Sequence, residues 1–327
     1  MVGHVQLSRS YMTAGGICST PAAVSDSLLV PDTEHRGLVS ALPPMPRAFA
    51  MLARFDRPIG WWLLFWPCAW GVLLAGGEAR WGLILWMLAG SIAMRGAGCV
   101  YNDIVDADLD RKVARTAKRP VASGFVSPKA AWVWLLALCL VGLVVLFQLR
   151  PMAQLVALGS VALVAAYPFM KRITWWPQAW LGMVFTWGAL VGWIEIRSDH
   201  LEVLAALYLG SIAWCIGYDT IYAIQDREDD ALVGIRSSAL RMGAHVRGGV
   251  AGFYTVAVGF WALAFWMLRH DWVAMVGLIP VALHLAFQVI TLDTKDGDNA
   301  LARFRSNRDL GLVMALACWV VGNAGII

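Results

Sequence analysis

The 327-residue chain is 59% apolar and only 15% charged, and its formal net charge is +4. Because soluble domains carry about a quarter charged residues, this composition excludes an ordinary soluble domain and favours a protein whose surface faces a lipid bilayer. Basic residues do not interleave with aromatic residues in any polar segment, so nucleic acid is not expected as a partner.

Residues 1–45 contain no apolar run long enough to cross a membrane, and they end in a proline-rich stretch. We interpret them as a flexible leader, followed by one membrane domain over residues 46–327. A cleaved organellar targeting segment is the alternative. Asp26, Asp32 and Glu34 count against it, because such segments are poor in acidic residues.

Apolar runs of roughly 20 residues, the length that a membrane-crossing helix needs, recur through the rest of the chain. There are nine of them, over residues 58–77, 81–102, 130–149, 151–170, 173–194, 203–218, 248–268, 272–292 and 310–327. The sequence therefore predicts an all-α integral membrane protein with nine transmembrane helices.

Lysine and arginine are distributed unevenly between the two sides of this arrangement. The N-terminal segment and every second loop hold 21 of the 26 basic residues, whereas the intervening loops hold only Arg80, Arg150, Arg197 and Arg269. Cytoplasmic segments are enriched in basic residues. The partition predicts that the long loops 103–129, 219–247 and 293–309 face the cytoplasm, and the location it indicates is a bacterial inner membrane.

Two acidic segments occupy equivalent positions at the ends of the second and sixth spans. The distance from Asp103 to Asp219 is 116 residues, and the distance from Asp110 to Asp226 is the same. This equal offset indicates an internal pseudo-repeat and predicts that the two segments lie at one depth of the membrane.

The first segment places Asn102, Asp106 and Asp110 four residues apart, so that they share one face of a continuous helix. Carboxylates crowded at a membrane border repel one another unless a cation lies between them. A single acidic cluster could equally be an ordinary loop start, but two clusters in register favour a metal site. Oxygen ligands of this kind favour Mg²⁺, which typically bridges carboxylates to a diphosphate.

Several arginines follow each acidic segment within a few turns, and guanidinium groups suit phosphate oxygens, although a general bias towards cytoplasmic positive charge would also place them there. Arg95 differs because it lies inside a span, two helical turns before Asn102. Pairing with the acidic face would satisfy its charge structurally. The interpretation we prefer is that Arg95 binds an anionic substrate deeper in the membrane.

These residues resemble the UbiA superfamily of membrane prenyltransferases, most closely its 4-hydroxybenzoate branch, over about residues 47–327. The family motif NDxxDxxxD is matched by residues 102–110 and the motif DxxYxxxD by residues 219–226. Shorter matches include the segments 57–60, 115–120 and 167–172.

The resemblance implies a helix bundle around a central cavity that the two motif loops cap. It implies Mg²⁺-dependent transfer of a polyprenyl group from polyprenyl diphosphate to 4-hydroxybenzoate, next to the hydroxyl, in ubiquinone biosynthesis. Another aromatic acceptor within the superfamily is the alternative. An ion-coupled transporter is disfavoured, because transporters place their polar residues near the bilayer midplane.

The resemblance also implies roles for individual residues. The expected metal ligands are Asn102, Asp106, Asp110, Asp219, Asp226 and Asp230. The expected diphosphate-binding residues are Arg57, Arg115, Arg119 and Arg236, and Arg95 is expected to bind the carboxylate of the aromatic acid. Asp103 and Asp219 are candidates for the base that activates the phenol, with Tyr222 as a further catalytic residue.

Overall fold

The computed structural model describes residues 38–77, 80–112, 116–227, 234 and 236–323. The predicted leader lies outside these residues up to position 37, and its boundary at residue 45 stays a prediction. Regular secondary structure in the described part of the chain is helical throughout. The α-helices are α1 Pro44–Leu52, α2 Ile59–Leu74, α3 Trp81–Val105, α4 Ala107–Asp110, α5 Pro128–Leu146, α6 Pro151–Ile173, α7 Pro177–Thr186, α8 Gly188–Ile196, α9 Leu201–Tyr222, α10 Ser238–Met242, α11 Val246–Arg269, α12 Val273–Val276, α13 Ile279–Thr291, α14 Gly297–Arg305 and α15 Asn307–Asn323.

Seven helical segments in the described ranges are long and apolar enough to cross a membrane. They are α3, α5, α6, α7 with α8, α9, α10 with α11, and α12 with α13. The predicted all-α membrane fold is therefore confirmed. The predicted count of nine spans is not, because α2 is apolar but has only 16 residues and α15 has 17, with Asp309 in its first turn.

The helix starts follow from local sequence. Pro128, Pro151 and Pro177 each occupy the first turn of a helix, where a missing backbone N–H costs no hydrogen bond. Ser127 caps α5 by accepting a hydrogen bond from the Ala130 amide at 3.3 Å. The fifth predicted span, residues 173–194, is realised as the two helices α7 and α8.

The ends of α3 and α6 lie on the same side of the bundle, since Asp106 is ion-paired with Lys171 and Arg172. On the opposite side, the Glu195 carboxylate at the end of α8 accepts a hydrogen bond from the Arg150 amide at 2.7 Å. These contacts agree with the alternation of loops predicted from the basic residues. They do not identify which side faces the cytoplasm.

Close packing between α2 and α8 depends on small residues. A Cβ atom at Gly71 would lie 2.4 Å from the Ala189 carbonyl oxygen, and one at Gly192 would lie 2.3 Å from the Cys68 carbonyl oxygen. Such close backbone approach through small residues is the usual way for membrane helices to pack. In contrast, α5 and α6 expose many large apolar side chains, as lipid contact requires.

Tryptophans fill the centre of the bundle. The rings of Trp70, Trp214 and Trp261 are all buried, and Trp70 lies 4.9 Å from Trp214 and 5.5 Å from Trp261 between ring centroids. The indole N–H of Trp70 donates to the Gly311 carbonyl at 2.9 Å. The cluster packs α2, α9, α11 and α15 against one another. The ends of α3 and α9 form one wall of a cavity.

Candidate active site

A cavity of about 230 Å³ opens where α2, α3, α6, α7 and α9 meet. Its wall combines four guanidinium groups and three phenols with carboxylate and carboxamide side chains. The polar and charged lining residues are Arg54, Arg57, Arg95, Asn102, Asp103, Arg119, Tyr167, Tyr218, Asp219 and Tyr222. Apolar side chains, among them Leu63, Leu181, Phe185 and Phe304, complete the wall.

Both acidic motifs contribute to this one cavity. Asn102 and Asp103 come from the last turn of α3, and Asp219 and Tyr222 come from the last turn of α9. The structure therefore brings together segments 116 residues apart, as the equal sequence offset led us to expect.

The Asp103 carboxylate is held by two arginines. Arg54 Nη2 donates to both of its oxygens, at 2.8 and 3.0 Å, and Arg119 Nη1 donates at 3.2 Å. Only 1% of Asp103 is exposed. The same Arg119 nitrogen donates to Asp110 at 2.9 Å, so Arg119 bridges two acids of the first motif. Burial raises the pKa of the Asp110 carboxyl above its ordinary value, while the Arg119 charge acts in the opposite direction.

Asp106 does not line the cavity. Helix α3 ends at Val105 and α4 begins at Ala107, so Asp106 lies at a break between two helices. Its carboxylate is fully buried and is ion-paired with Lys171 and with Arg172 Nη2 at 2.8 Å. The helix expected to run unbroken through the first motif is therefore interrupted at Asp106, although the Asp106 and Asp110 amides still donate to the carbonyls four residues earlier, at 2.9 and 2.8 Å.

That break separates the predicted ligands of the first motif into two environments. Asn102 lines the cavity, whereas Asp106 and Asp110 do not and are instead neutralised by cations of the protein. The acids of the first motif are thus less isolated than their sequence suggests. Each of the three buried carboxylates of the first motif is thus paired with a cation of the protein.

In the second motif, Asp219 is half-buried in the cavity wall and lies within electrostatic range of Arg95 and Asp226. The Tyr222 ring lies 4.7 Å from the Phe304 ring. Asp226 follows in the turn after α9. Asp230 lies outside the described residues, so its predicted role as a ligand stays a prediction.

Arg95 carries an unsatisfied polar group in the cavity. Its Nε is buried and has no hydrogen-bond partner in the described part of the chain. Its guanidinium carbon lies 5.2 Å from the centroid of the Phe185 ring, a cation–π contact. The alternative in which Arg95 pairs directly with the acidic helix face is not seen, because no described carboxylate lies within salt-bridge distance of it.

The predicted diphosphate-binding arginines are found in different places. Arg57 and Arg119 line the cavity, and Arg57 Nε also donates to the Asp56 carboxylate at 3.0 Å. Arg236 does not line it; its Nη1 donates to the Ile173 carbonyl at 2.6 Å, and its guanidinium lies over the Trp175 ring. Arg115 lies outside the described residues.

Sequence analysis missed several residues that contact or support the site. Arg54 and Tyr218 line the cavity and were assigned no role, and Lys171 and Arg172 belong to a segment that resembles the family but were given no role in the site. A usable signal existed for Lys171, since Tyr167 and Lys171 are spaced i, i+4 at the end of a span and therefore share a face. No local signal pairs Arg54 with Asp103, 49 residues away.

The donor set around the cavity suits a Mg²⁺ ion that arrives with a diphosphate. No group of three or more His, Cys, Asp or Glu side chains placed to hold a metal occurs in the described ranges. Mg²⁺ does not need such a cage, because it usually keeps several waters and binds one or two carboxylates together with substrate phosphates. Asn102 and Asp219 supply oxygen atoms in the same cavity as four arginines.

Comparison with known proteins gives a consistent result at the level of sequence. The chain is 39% identical over 294 residues to the mitochondrial 4-hydroxybenzoate polyprenyltransferase of Arabidopsis thaliana, an alignment that covers 89% of this chain and 72% of the relative. It is 41% identical over 307 residues to the protein of the same name from Drosophila melanogaster, covering 92% of this chain and 76% of the relative.

The fold also matches solved structures. A UbiA homolog from Archaeoglobus fulgidus, bound to GPP and Mg²⁺, superimposes with a TM-score of 0.64 at 16% identity, covering 84% of this chain and 99% of the homolog. Residues 64–318 match the model of the UbiA prenyltransferase family. With this match and with relatives about 40% identical over most of its length, the chain belongs to the UbiA prenyltransferase family.

Proposed function

We propose that this chain transfers a polyprenyl group from polyprenyl diphosphate to 4-hydroxybenzoate, at the carbon next to the hydroxyl, in ubiquinone biosynthesis. One observation carries the proposal: a single cavity joins both acidic motifs, a group of arginines and Arg95, whose Nε has no hydrogen-bond partner in the described part of the chain. The names of relatives about 40% identical support the choice of acceptor.

The diphosphate binds at the motif end of the cavity. Arg57 and Arg119 face this end, and guanidinium groups can hold phosphate oxygens through paired hydrogen bonds. Their positive charge stabilises the leaving diphosphate as its bond to the allylic carbon breaks. The predicted ligands Asn102, Asp226 and Asp230 would hold Mg²⁺ here, with Asp106 and Asp110 joining if they exchange their protein cations for it. The remaining predicted ligand, Asp219, would serve as the base instead. When bound, Mg²⁺ supplies further electrostatic stabilisation of the leaving group.

The aromatic acid binds deeper, with its carboxylate on Arg95. Seven residues separate Arg95 from Asn102, about 10 Å along a helix that rises about 1.5 Å per residue. The guanidinium Nε lacks a partner that a carboxylate oxygen could provide. Leu181 and Phe185 supply an apolar surface for the ring beside it.

Asp219 is the better candidate for the base that activates the phenol. The oxygens of Asp103 already accept hydrogen bonds from two guanidinium groups, which stabilise the carboxylate and weaken it as a proton acceptor. Asp219 faces the same cavity near Arg95. It can therefore reach a phenol on a ring held by Arg95. Tyr222, packed on Phe304, is proposed to position the reacting end of the prenyl chain.

The apolar part of the wall protects the reaction from water. An allylic cation formed in the cavity would be captured by any water molecule within reach, so exclusion of solvent favours the aromatic ring as the nucleophile. The long prenyl chain can extend from this wall into the bilayer. The membrane location thus follows from the chemistry as well as from the composition.

The comparison of wild-type activity across acceptors tests this function. Purified protein in detergent receives labelled polyprenyl diphosphate, Mg²⁺ and one of several aromatic acids: 4-hydroxybenzoate, homogentisate or dihydroxynaphthoate. We expect the prenylated product with 4-hydroxybenzoate. If the protein prefers another acceptor, the proposed substrate is wrong but the proposed type of reaction stands. Failure to prenylate any acceptor would argue against an enzyme of this class.

We further propose that both motifs face the cytoplasm and that the host membrane is a bacterial inner membrane. The support is the excess of basic residues in the loops that carry the motifs. A reporter active only in the cytoplasm, fused after Pro120, should be active, and one fused after Arg197 should not. The reverse result would invert the orientation. Two relatives are named mitochondrial, so the same fusions in mitochondria would test the corresponding matrix orientation.

A further inference from the structure

Gly98 occupies a central position in the cavity wall. It lies on α3, three residues after Arg95 and four before Asn102, and all three residues line the cavity. Residues with this spacing share one helix face. Gly98 therefore lies between the proposed carboxylate-binding end and the proposed diphosphate-binding end of the site.

The space in front of Gly98 is empty. A Cβ atom built on Gly98 would have no other heavy atom within 4 Å, apart from its own helix neighbours. This differs from Gly71, where a Cβ would collide with the backbone of the neighbouring helix at 2.4 Å. Gly98 is thus not needed for helix packing, and its backbone lies outside the left-handed region that favours glycine.

Glycine in the interior of a helix is less stable than alanine, because it loses more backbone freedom on folding. At Gly98 no packing contact and no special backbone conformation offsets this loss. What the missing side chain does provide is free volume within the cavity. That volume lies on the helix face that carries Arg95 and Asn102, in the wall of the same cavity.

We infer that Gly98 is a specificity-determining residue, whose missing side chain leaves the space that the ring of the aromatic acid occupies. This inference rests on the proposed function, because that function places the acid on Arg95. Aromatic carbons pack about 3.5–4.0 Å from the atoms they touch. A methyl group on residue 98 would occupy that contact distance and displace the ring from Asp219 and from the prenyl carbon.

Gly60, in the same wall, offers a useful contrast. A Cβ atom there would lie 2.7 Å from Arg95 Nε, so alanine at position 60 would move the guanidinium itself. Alanine at position 98 would leave Arg95 in place and fill the space beside it. Alanine at position 60 therefore tests the position of the carboxylate-binding group, and alanine at position 98 tests the space available for the ring.

The test uses Gly98→Ala and Gly98→Val, with Gly252→Ala as the matched control. Gly252 is a helical glycine of α11 that is exposed, has no atom near a built Cβ and does not line the cavity. For each variant, kcat and KM are measured for the acid and for the polyprenyl diphosphate. The acids are 4-hydroxybenzoate and derivatives with fluoro, methyl or ethyl groups on the ring.

We expect Gly98→Ala to lower kcat/KM for 4-hydroxybenzoate by about 10- to 200-fold, the change in kcat/KM that one added or missing methyl-sized group typically produces in a pocket. The loss should grow with the size of the ring substituent and with Gly98→Val. The KM for polyprenyl diphosphate should stay within about twofold of wild type, and the melting temperature should not fall, since alanine favours the helix. Gly252→Ala should match wild type in kcat, in the KM for each substrate and in melting temperature.

Unchanged kinetics of Gly98→Ala towards every acid would overturn the inference. So would a rise in the KM for polyprenyl diphosphate alone, which would place the prenyl chain over Gly98. If the wild type prenylates a different acceptor, the proposed substrate fails, but the same comparison on that acceptor still tests Gly98.

Discussion

Among the described regions that bury polar side chains, two differ in how those side chains are paired. In the cavity, Arg95 Nε has no hydrogen-bond partner in the described part of the chain. Between α9, α11, α13 and α15, a second group is fully paired. There, Asn307 Oδ1 accepts from Trp214 Nε1 at 2.8 Å and from Gln288 Nε2 at 3.2 Å, and the Tyr254 hydroxyl donates to Gln288 Oε1 at 2.8 Å.

The difference separates structural from functional polar groups. A buried polar atom destabilises the fold unless it is paired, and the bilayer offers no water to pair it. The network around Asn307 meets this condition within the protein, so its residues can act as structural supports. In the cavity, Arg95 Nε does not meet it. Other buried atoms of the described chain are unpaired as well, at Trp66, Arg269, Arg303 and Asn323, so it is the position of Arg95 in a cavity lined by both motifs that favours a ligand there.

The two regions are nevertheless connected. Asn307 Nδ2 also donates to the carbonyl oxygens of Arg303 and Phe304, at 3.2 and 3.1 Å, at the end of α14. Phe304 lines the cavity and packs on Tyr222. The network around Asn307 thus supports one wall of the cavity. Substitutions in the network should mainly change the stability of the protein, whereas substitutions in the cavity should mainly change the use of substrate.

Metal removal should have the largest effect. Excess chelator should reduce prenylation by at least about 100-fold, because electrostatic stabilisation of a leaving group commonly contributes about 10²–10³ in rate. Added Mg²⁺ should restore the activity. The melting temperature should hardly change, since the acids of the first motif are neutralised by protein cations. Full turnover in excess chelator would contradict the proposed ionisation of a diphosphate.

Arg95→Ala should come next, with an increase in the KM for 4-hydroxybenzoate of about 10- to 100-fold, since a hydrogen bond to a charged group is worth about 1.5–3 kcal/mol. Arg95→Lys should recover only part of the affinity, because lysine lacks the planar pair of donors. The KM for polyprenyl diphosphate should not change.

The stability of Arg95→Ala provides the control for this prediction. The guanidinium makes no described hydrogen bond and one cation–π contact, with Phe185, so its removal should lower the melting temperature only slightly. A protein that fails to fold would assign Arg95 to the structural class. Weaker diphosphate binding with an unchanged KM for the acid would move Arg95 to the phosphate site.

Much of the fold and part of the candidate site could be predicted from the sequence. Hydropathy predicted the membrane fold, and the equal offset between Asp103 and Asp219 predicted that the motifs meet, because both features depend on local composition and on repetition. Arg95 could be identified because a cation inside an apolar run is rare. These signals are local, and the bilayer makes them strong.

The remainder depends on tertiary contacts that no local pattern encodes. Asp106, which follows the end of α3 at Val105, is paired with Lys171 and Arg172, 65 and 66 residues away in the chain. Helix ends are the least predictable part of a sequence-based assignment. At the first motif the interruption is a single residue, Asp106, and it divides the helix that the sequence predicts to be continuous.

The paired network should respond in the opposite way to the cavity. Asn307→Leu would leave the Trp214 indole and the Gln288 amide without partners, a loss of about 1–3 kcal/mol for each buried group. We expect a lower melting temperature, with the KM for both substrates within about threefold of wild type for the folded fraction. A stable protein with a strongly raised KM would show that the network acts mainly on the site.

The smallest effect is expected for an ion pair outside both regions, on the side opposite the motifs. Arg197 donates two hydrogen bonds to Asp199, at 2.6 and 2.8 Å, and these hold the pKa of the Asp199 carboxyl at about 2, below its ordinary value of 3.8. Because the folded-state pKa is lowered, any stabilisation is complete above pH 3.8 and is lost only as the pH falls towards 2.

At neutral pH, water screens this exposed pair, so Arg197→Ala should match wild type in melting temperature and in both KM values. Carboxyl titration by NMR should show the Asp199 pKa returning towards its ordinary value in the variant, which confirms that the pair was broken. Loss of activity in Arg197→Ala would mean that polar groups far from the cavity also tune the reaction, and the division between paired and unpaired regions would no longer separate structure from function.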